Sequence, residues 1–430
     1  MIDTHTFESG LQVYVDHMPN THSTAVNVIV GVGALDETET EAGISHLLEH
    51  CVHQETGLFK DEEARLEYEA RNQYSSNANT SANRTLYFSR GPQFEPLMRG
   101  LAAFVSTPTL KDEHVAKEVA VVTREARMQL DNIGALGYFA TRQHMFNSPY
   151  SRPVIGYWED LEFSGEAVRD YYSRHYTLGT VAIIASGQAT TEQVVAAADR
   201  YLVQSPLPPS ETRPRGFSAR ELSPAVYGVP GTYGILGNQH NNVRLESYFL
   251  LNDHIKANLA AVDRSAHWLA SAIIGASVAK SLRTDRQLSY DGGFGFSASE
   301  HPATWAGHAS VTCEADKVAV AQEAIVEGIH NALQTPERKI MAEILSWEGS
   351  ILMGVDDISS RTGRMSGYVE AGHTPPSVQE VLKECKELTP QDIRIAIADI
   401  IDNHASAESY VFIQGDEKAV EGLPIVAAEL

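Results

Sequence analysis

The chain has 430 residues, of which 43% are hydrophobic and 21% charged, and a net charge of −23. This is the composition of a globular protein with material for about two or three domain cores. It excludes nucleic acid and anionic membrane as partners, since phosphate binding needs clustered Lys and Arg, and no run approaches the length of a membrane span. Three scattered cysteines, Cys51, Cys313 and Cys385, point to a reducing compartment and no disulfide framework. With no basic-then-apolar leader over residues 1–8, a cytoplasmic location is expected.

In chain order, residues 11–15 alternate as a strand, residues 18–21 read as a turn, and Thr24–Val30 follows as a second strand, which is hairpin material. Next comes His46-Leu47-Leu48-Glu49-His50. Two histidines four apart share one face of a helix, so both imidazoles can reach one ion. Glu49 borders that face and can serve as a general base without being a ligand, the H-x-x-E-H order of an inverzincin hydrolase. Glu37, Glu39 and Glu41 supply negative charge near the helix start, and Ile44, Leu47, Leu48 and Cys51 form the apolar face behind it. The bare pentapeptide also fits a helix with two surface histidines.

Catalytic zinc takes three protein ligands and keeps one position open. Residues 117–128 read as a helix carrying Glu118 and Glu125, seven apart and two turns apart on one face. One can bind the metal while the other braces a ligand histidine; on composition alone the pair equally describes a solvated face.

The chain then repeats itself. Ser164 and Thr389 each cap a helix, and Arg169 and Arg394 within those helices lie 225 apart. Asp131-Asn132 and Asp356-Asp357 end two long helical stretches at the same offset, and short apolar strands ending in Gly187 and Gly415 follow at 228. Residues 242–250 are the candidate counterpart of the Thr24–Val30 strand. The offset sets Glu343 opposite Glu118 and Ser350 opposite Glu125, and the second half has no H-x-x-E-H. It is a copy without the metal chemistry. A Pro-rich stretch, residues 205–216, divides residues 1–204 from 217–430 as a linker. The expected fold class is α+β: two homologous domains, each a mostly antiparallel sheet packed with helices.

These residues resemble the pitrilysin-type zinc peptidases, which include insulin-degrading enzyme and the mitochondrial processing peptidase. The likeness rests on Gly31–Glu37 leading into Gly43-Ile44-Ser45-His46-Leu47-Leu48-Glu49-His50, on Asn77-Ala78-Asn79-Thr80 before Thr85-Leu86-Tyr87-Phe88, and on the Glu118 and Glu125 pair. It extends to Leu282-Arg283-Thr284-Asp285-Arg286-Gln287-Leu288-Ser289-Tyr290. Gln73 and Tyr74 depart from it, standing where the family often has two glycines. So does the segment after the zinc helix, Cys51 to Gly57, which lacks the usual Met and the Gly-Thr order.

The resemblance implies one zinc per chain on His46, His50 and Glu125, with Glu118 bracing a ligand and Glu49 as general base. It implies that Asn77 and Ala78 pair with an extended peptide, and that Arg283 and Tyr290 hold substrate. It implies endopeptidase action on unfolded or short peptides inside a dimer-enclosed chamber. Because this chain carries both the zinc motif and the Arg/Tyr pair, a homodimer is the simpler expectation, ahead of a heterodimer with a related subunit. The alternative is a non-catalytic structural or regulatory subunit, which would usually have lost Glu49 or a ligand.

Overall fold

The computed structural model describes residues 2–157, 159, 161–209, 225–237, 242–260, 265–298 and 301–428. Residues 210–224, which include most of the expected linker and the expected start of the second half, lie outside the described residues. The strands are β1 (Asp3–Thr6), β2 (Gln12–His17), β3 (Thr24–Val30), β4 (Ser75–Thr80), β5 (Thr85–Gly91), β6 (Val181–Gly187), β7 (Gly231–Leu236), β8 (Asn242–Leu250), β9 (Gly293–Ser297), β10 (Ala306–Glu314) and β11 (Ser409–Gly415). The helices of the first half are α1 (Ile44–Val52), α2 (Glu62–Arg71), α3 (Phe94–Ser106), α4 (Asp112–Leu130), α5 (Ile133–Met145), α6 (Gly165–His175) and α7 (Thr191–Ala198). Those of the second are α8 (Asp253–Ala260), α9 (Ser265–Lys280), α10 (Val318–Asn331), α11 (Glu337–Gly354), α12 (Ile358–Glu370), α13 (Val378–Glu387) and α14 (Pro390–Ser406).

Two sheets result, ordered β1-β2-β6-β3-β5-β4 and β7-β11-β8-β10-β9. Apart from β1 they match position for position. In each, the first strand of the repeat runs parallel to the last, β2 with β6 and β7 with β11, and every other pairing is antiparallel. The α+β reading with two homologous domains therefore holds. Matching contacts recur in both halves. Arg169 donates to the carbonyl of Leu110, and Arg394 donates to those of Leu333 and Thr335.

The expected hairpin between β2 and β3 does not form. β6 lies between them, parallel to β2 and antiparallel to β3. The reason is burial: all seven residues of β6, VAIIASG, are buried, so it takes the centre of the sheet, with both faces covered. The chain from β2 to β3 crosses the end of β6 instead, with Met18 N donating to Gly187 O and Gln188 N to Ser23 O. Gly187 has φ +134°, and a side chain there would strike the Ser23 carbonyl, so the crossing requires glycine.

One helix from each half packs on the other half's sheet. α12 lies across β3 and β6, its Met365 and Val369 buried with Ile29, Leu86, Ala182 and Ile184. α5 lies on β11, and its Ala140 and Met145 share a core with Ile235, Tyr410 and Phe412. Polar contacts fix both crossings: Asn27 Nδ2 donates to Ser366 Oγ at 2.8 Å, Arg84 Nε pairs with Glu370 at 2.5 Å, and Gln414 Nε2 donates to Ile133 O at 2.6 Å. Among the described residues, no helix is long and apolar enough to cross a membrane.

Candidate metal centre

α1 begins where the chain bends at Gly43, φ +92°, where a Cβ would lie 2.7 Å from Ile155 O and 2.8 Å from the Gly156 Cα. The helix start is held by one carboxylate. Glu37 Oε2 accepts from Gly43 N and Glu37 Oε1 from Ser45 N, both at 3.0 Å. Buried Arg152 donates to the Ala34 and Glu37 carbonyls at 3.1 and 2.8 Å and sits beside that carboxylate. Burial pushes the Glu37 acid up to about 8, against the pull of the two amides and Arg152. Of the three glutamates expected near this start, Glu37 alone caps the helix. Glu39 pairs with Arg152, and Glu41 with Thr38 and Arg174.

Ile44, Leu47, Leu48 and Cys51 of α1 enter the core, and the face opposite carries the chemistry. The His46 and His50 rings are 4.8 Å apart at 72°. Their Nε2 atoms face Glu125 Oε2, 4.0 Å from His46 and 3.6 Å from His50, and the three donors lie within 4.8 Å of one another. Zinc bonds of 2.0–2.2 Å in tetrahedral array set ligand atoms about 3.3–3.5 Å apart, so a small inward adjustment closes the set. His46 is in a suitable state: burial lowers its pKa to about 4, leaving it neutral with a free lone pair at pH 7. On the other side of His50, Nδ1 lies 3.2 Å from the buried Glu118 carboxylate. A carboxylate only accepts, so Nδ1 carries the proton and Nε2 is left for a metal. The same hydrogen bond raises the His50 pKa. Of the two glutamates left open by spacing, Glu125 therefore converges with the histidines and Glu118 braces one of them.

Glu49 is buried beside this set and outside it. Its Oε2 accepts from Thr80 Oγ1 at 2.8 Å, and burial raises its pKa. Thr80 is a site residue that the sequence did not assign a role; its only signal was its place as the last residue of the Asn77-Ala78-Asn79-Thr80 run. A cleft of ≈ 230 Å³ opens beside His46, Glu125 and Thr80, walled by Leu35, Tyr138, Arg142 and Tyr150.

Asn77 and Ala78 lie on β4, the sheet's edge among the described strands. Ser81 N donates to Arg84 O, which makes Ala78 a non-hydrogen-bonded partner of Tyr87, with its N–H and C=O turned to the free edge. That N–H is taken by Asn77 Oδ1 at 2.9 Å. Gln73, just before this strand, adopts φ +58°, so the left-handed conformation is kept without a glycine. Arg283 and Tyr290 meet each other: the guanidinium lies 3.9 Å from the ring centroid, and Tyr290 is 79% exposed. The contacts described for this pair do not extend to the His46 site.

In the second half the 225 offset carries Glu125 to Ser350, whereas the strands flanking α1 correspond at shorter offsets, Ala25 with Arg244 and Asn77 with Gly293. On α9, a Cβ at Gly275 would lie 2.8 Å from Phe294 O, so the helix packs closely on β9.

The family profile described as Insulinase (Peptidase family M16) matches residues 12–154, and that described as Peptidase M16 inactive domain matches residues 162–346. An uncharacterized zinc protease of Rickettsia felis is 27% identical over 197 residues, 45% of this chain and 48% of its own length. The mitochondrial-processing peptidase subunit beta of Neurospora crassa is 25% identical over 218 residues, 47% of this chain and 43% of its own. The chain thus matches over about half the length of these curated relatives. A solved peptidase M16 inactive domain from Pseudomonas fluorescens has the same fold, with a TM-score of 0.81 at 15% identity, covering 97% of this chain and 98% of that one.

Proposed function

Because the chain belongs to the pitrilysin-type peptidase family M16, we propose that it is a zinc-dependent endopeptidase of unfolded or short peptides. The observation that carries this reading is the convergence of His46, His50 and Glu125 with buried Glu49 beside them but outside the donor set. Zinc held there supplies a Lewis acid that polarises a carbonyl and acidifies water. Glu49 takes the proton of the attacking water and passes it to the leaving nitrogen as the C–N bond breaks. Its raised pKa suits that exchange, and Thr80 fixes which oxygen is free. Glu118 keeps the His50 ring oriented. A peptide strand adds to the free edge of β4, its carbonyl replacing Asn77 Oδ1 on the Ala78 N–H, which gives affinity with little demand on sequence.

Arg283 and Tyr290 donate to substrate carbonyls from the half that lacks the His46, His50 and Glu125 set. The exchanged helices α5 and α12 lock the two halves together, so the pair serves the zinc site of a second copy in a homodimer. The division of labour follows residues 1–204 as the zinc domain and 217–430 as the domain carrying the pair. Buried, unpaired Cys51, Cys313 and Cys385 favour a reducing, cytoplasmic setting. The test is cleavage of an unstructured peptide, abolished by a chelator and restored by zinc. Zinc binding with no cleavage of any peptide in a mixed library would reassign the chain as a non-catalytic subunit.

A further inference from the structure

A second set of donors converges in the other half. His254 of α8, His267 in the first turn of α9 and Asp399 of α14 bring one donor atom each within 4.8 Å of one another. Both imidazoles turn Nε2 to the same carboxylate oxygen, Asp399 Oδ2, at 3.2 Å from His254 and 3.5 Å from His267. An ion with nitrogen and oxygen bonds of about 2.0–2.2 Å in tetrahedral array separates its ligands by about 3.3–3.5 Å. The two spacings to Asp399 already approximate those edges.

A fourth group stands at the same point. The Asn258 amide nitrogen is 3.2 Å from His254 Nε2 and 3.4 Å from His267 Nε2. Read as hydrogen bonds, these contacts conflict. Each Nε2 would have to donate to Asp399 and accept from Asn258, and one ring nitrogen does only one of these. Exchanging the amide nitrogen and oxygen, a matter of assignment, brings a carbonyl oxygen to that place. Two imidazole lone pairs, a carboxylate and an amide oxygen then face one point.

The surroundings hold this arrangement in advance. His254 and Asn258 share a face of α8 at i and i+4. Asn403, one turn beyond Asp399 on α14, accepts from Asn252 N at 2.7 Å and donates to Leu250 O at 3.0 Å, while Asn252 Oδ1 accepts from Ile255 N at 2.9 Å. The start of α8 is thereby fixed to the helix that carries Asp399. His267 is buried, so its ring is held in place by the surrounding core.

We propose that His254, His267 and Asp399, with Asn258 as the fourth donor, form a second site for a divalent transition-metal ion that ties α8, α9 and α14 together. Mixed nitrogen and oxygen donors in tetrahedral array suit zinc or cobalt. His254 is 65% exposed, so an ion enters from solvent and exchanges readily, and the chain's capacity rises from one metal to two.

The test uses the full-length chain carrying His46→Ala and His50→Ala, titrated with Co²⁺ and then Zn²⁺. One equivalent of Co²⁺ should bind with the strong visible bands of a tetrahedral centre, and Zn²⁺ should displace it. Tm should rise with metal, as it does for any ligand that binds only the folded state. Adding His254→Ala should remove the bands and the Tm rise while leaving the metal-free Tm in place. In parallel, the chain without substitutions should take up two Co²⁺ and His254→Ala alone one. Absence of uptake in the His46→Ala/His50→Ala chain, or uptake indifferent to His254→Ala, would overturn the proposal and leave a hydrogen-bonded cluster.

Discussion

Glu49 and Glu125 are both glutamates beside two histidines, and what separates their proposed roles is where each carboxylate is held. Glu125 is partly open and faces both Nε2 atoms, whereas Glu49 is buried and tied to Thr80. Removing Glu125 by Ala should therefore abolish zinc at this centre, as should His46→Ala and His50→Ala, read by metal analysis after mild dialysis. Glu49→Gln should keep that zinc yet lose about 10²–10⁴ in turnover, because an amide cannot take the proton. Turnover within a few-fold of the parent would remove Glu49 from the role. Glu118→Gln should weaken zinc binding by about 10–100-fold, as loss of a bracing partner does elsewhere. Much of this was legible in the sequence, because an i, i+4 spacing on a helix fixes geometry by itself. Thr80 and Arg152 were not, since each reaches the site from a distant segment through a contact no local pattern encodes. Gln73 makes the same point from the backbone side. At φ +58° a β-branched side chain is strained, so Gln73→Val should cost about 1–3 kcal/mol in urea unfolding, while Gln73→Gly should be close to neutral.

At the scale of elements, the sequence showed strands β2 and β3 and the helices carrying His46 and Glu125, but neither α5 nor which strands would be neighbours. Local alternation suggested pairing β2 with β3, and the fully buried β6 displaced that pairing because a strand apolar on both faces needs the middle of the sheet. The 225-residue offset at Asp131-Asn132 and Asp356-Asp357 was readable as a duplication, but the path of the chain at those landmarks was not. Those are the points where the chain leaves its own half, with Asn132 capping α5 and Asp357 capping α12. No periodicity says which sheet an amphipathic helix will cover. The exchange carries a stability consequence. Met365→Ala empties a buried place between α12 and the first sheet and should cost about 2–5 kcal/mol, and Asp357→Ala, which removes a cap, about 1 kcal/mol. A fragment of residues 1–209 should aggregate when made alone, since Ile29, Leu86 and Ile184 lose their cover, and should become soluble when residues 210–430 are co-expressed. A soluble, monomeric first-half fragment would show that α12 is dispensable to it.

At the scale of the whole molecule, the question is which chain supplies Arg283 and Tyr290 to which zinc. Each half of the protein holds one part of the proposed machinery, and α5 and α12 bind those halves to each other within one chain. Tyr290, 79% exposed and stacked on Arg283, is displayed outward, available to a second copy. Tyr290→Phe removes one donor and should keep zinc while lowering kcat/KM, by up to about 3–4 kcal/mol of transition-state stabilisation at a preorganised position. A mixing experiment then separates action within a chain from action between chains. One chain carries Glu49→Gln, the other Arg283→Ala with Tyr290→Phe, and each homodimer is inactive or nearly so. In a mixed dimer one site combines both lesions, while the other combines an intact Glu49 with an intact Arg/Tyr pair. Random assortment at equal amounts makes about half the dimers mixed with one competent site of two, so about a quarter of the parent activity should return. If the pair instead served its own chain's zinc, every site in the mixture would carry one lesion and no activity would return.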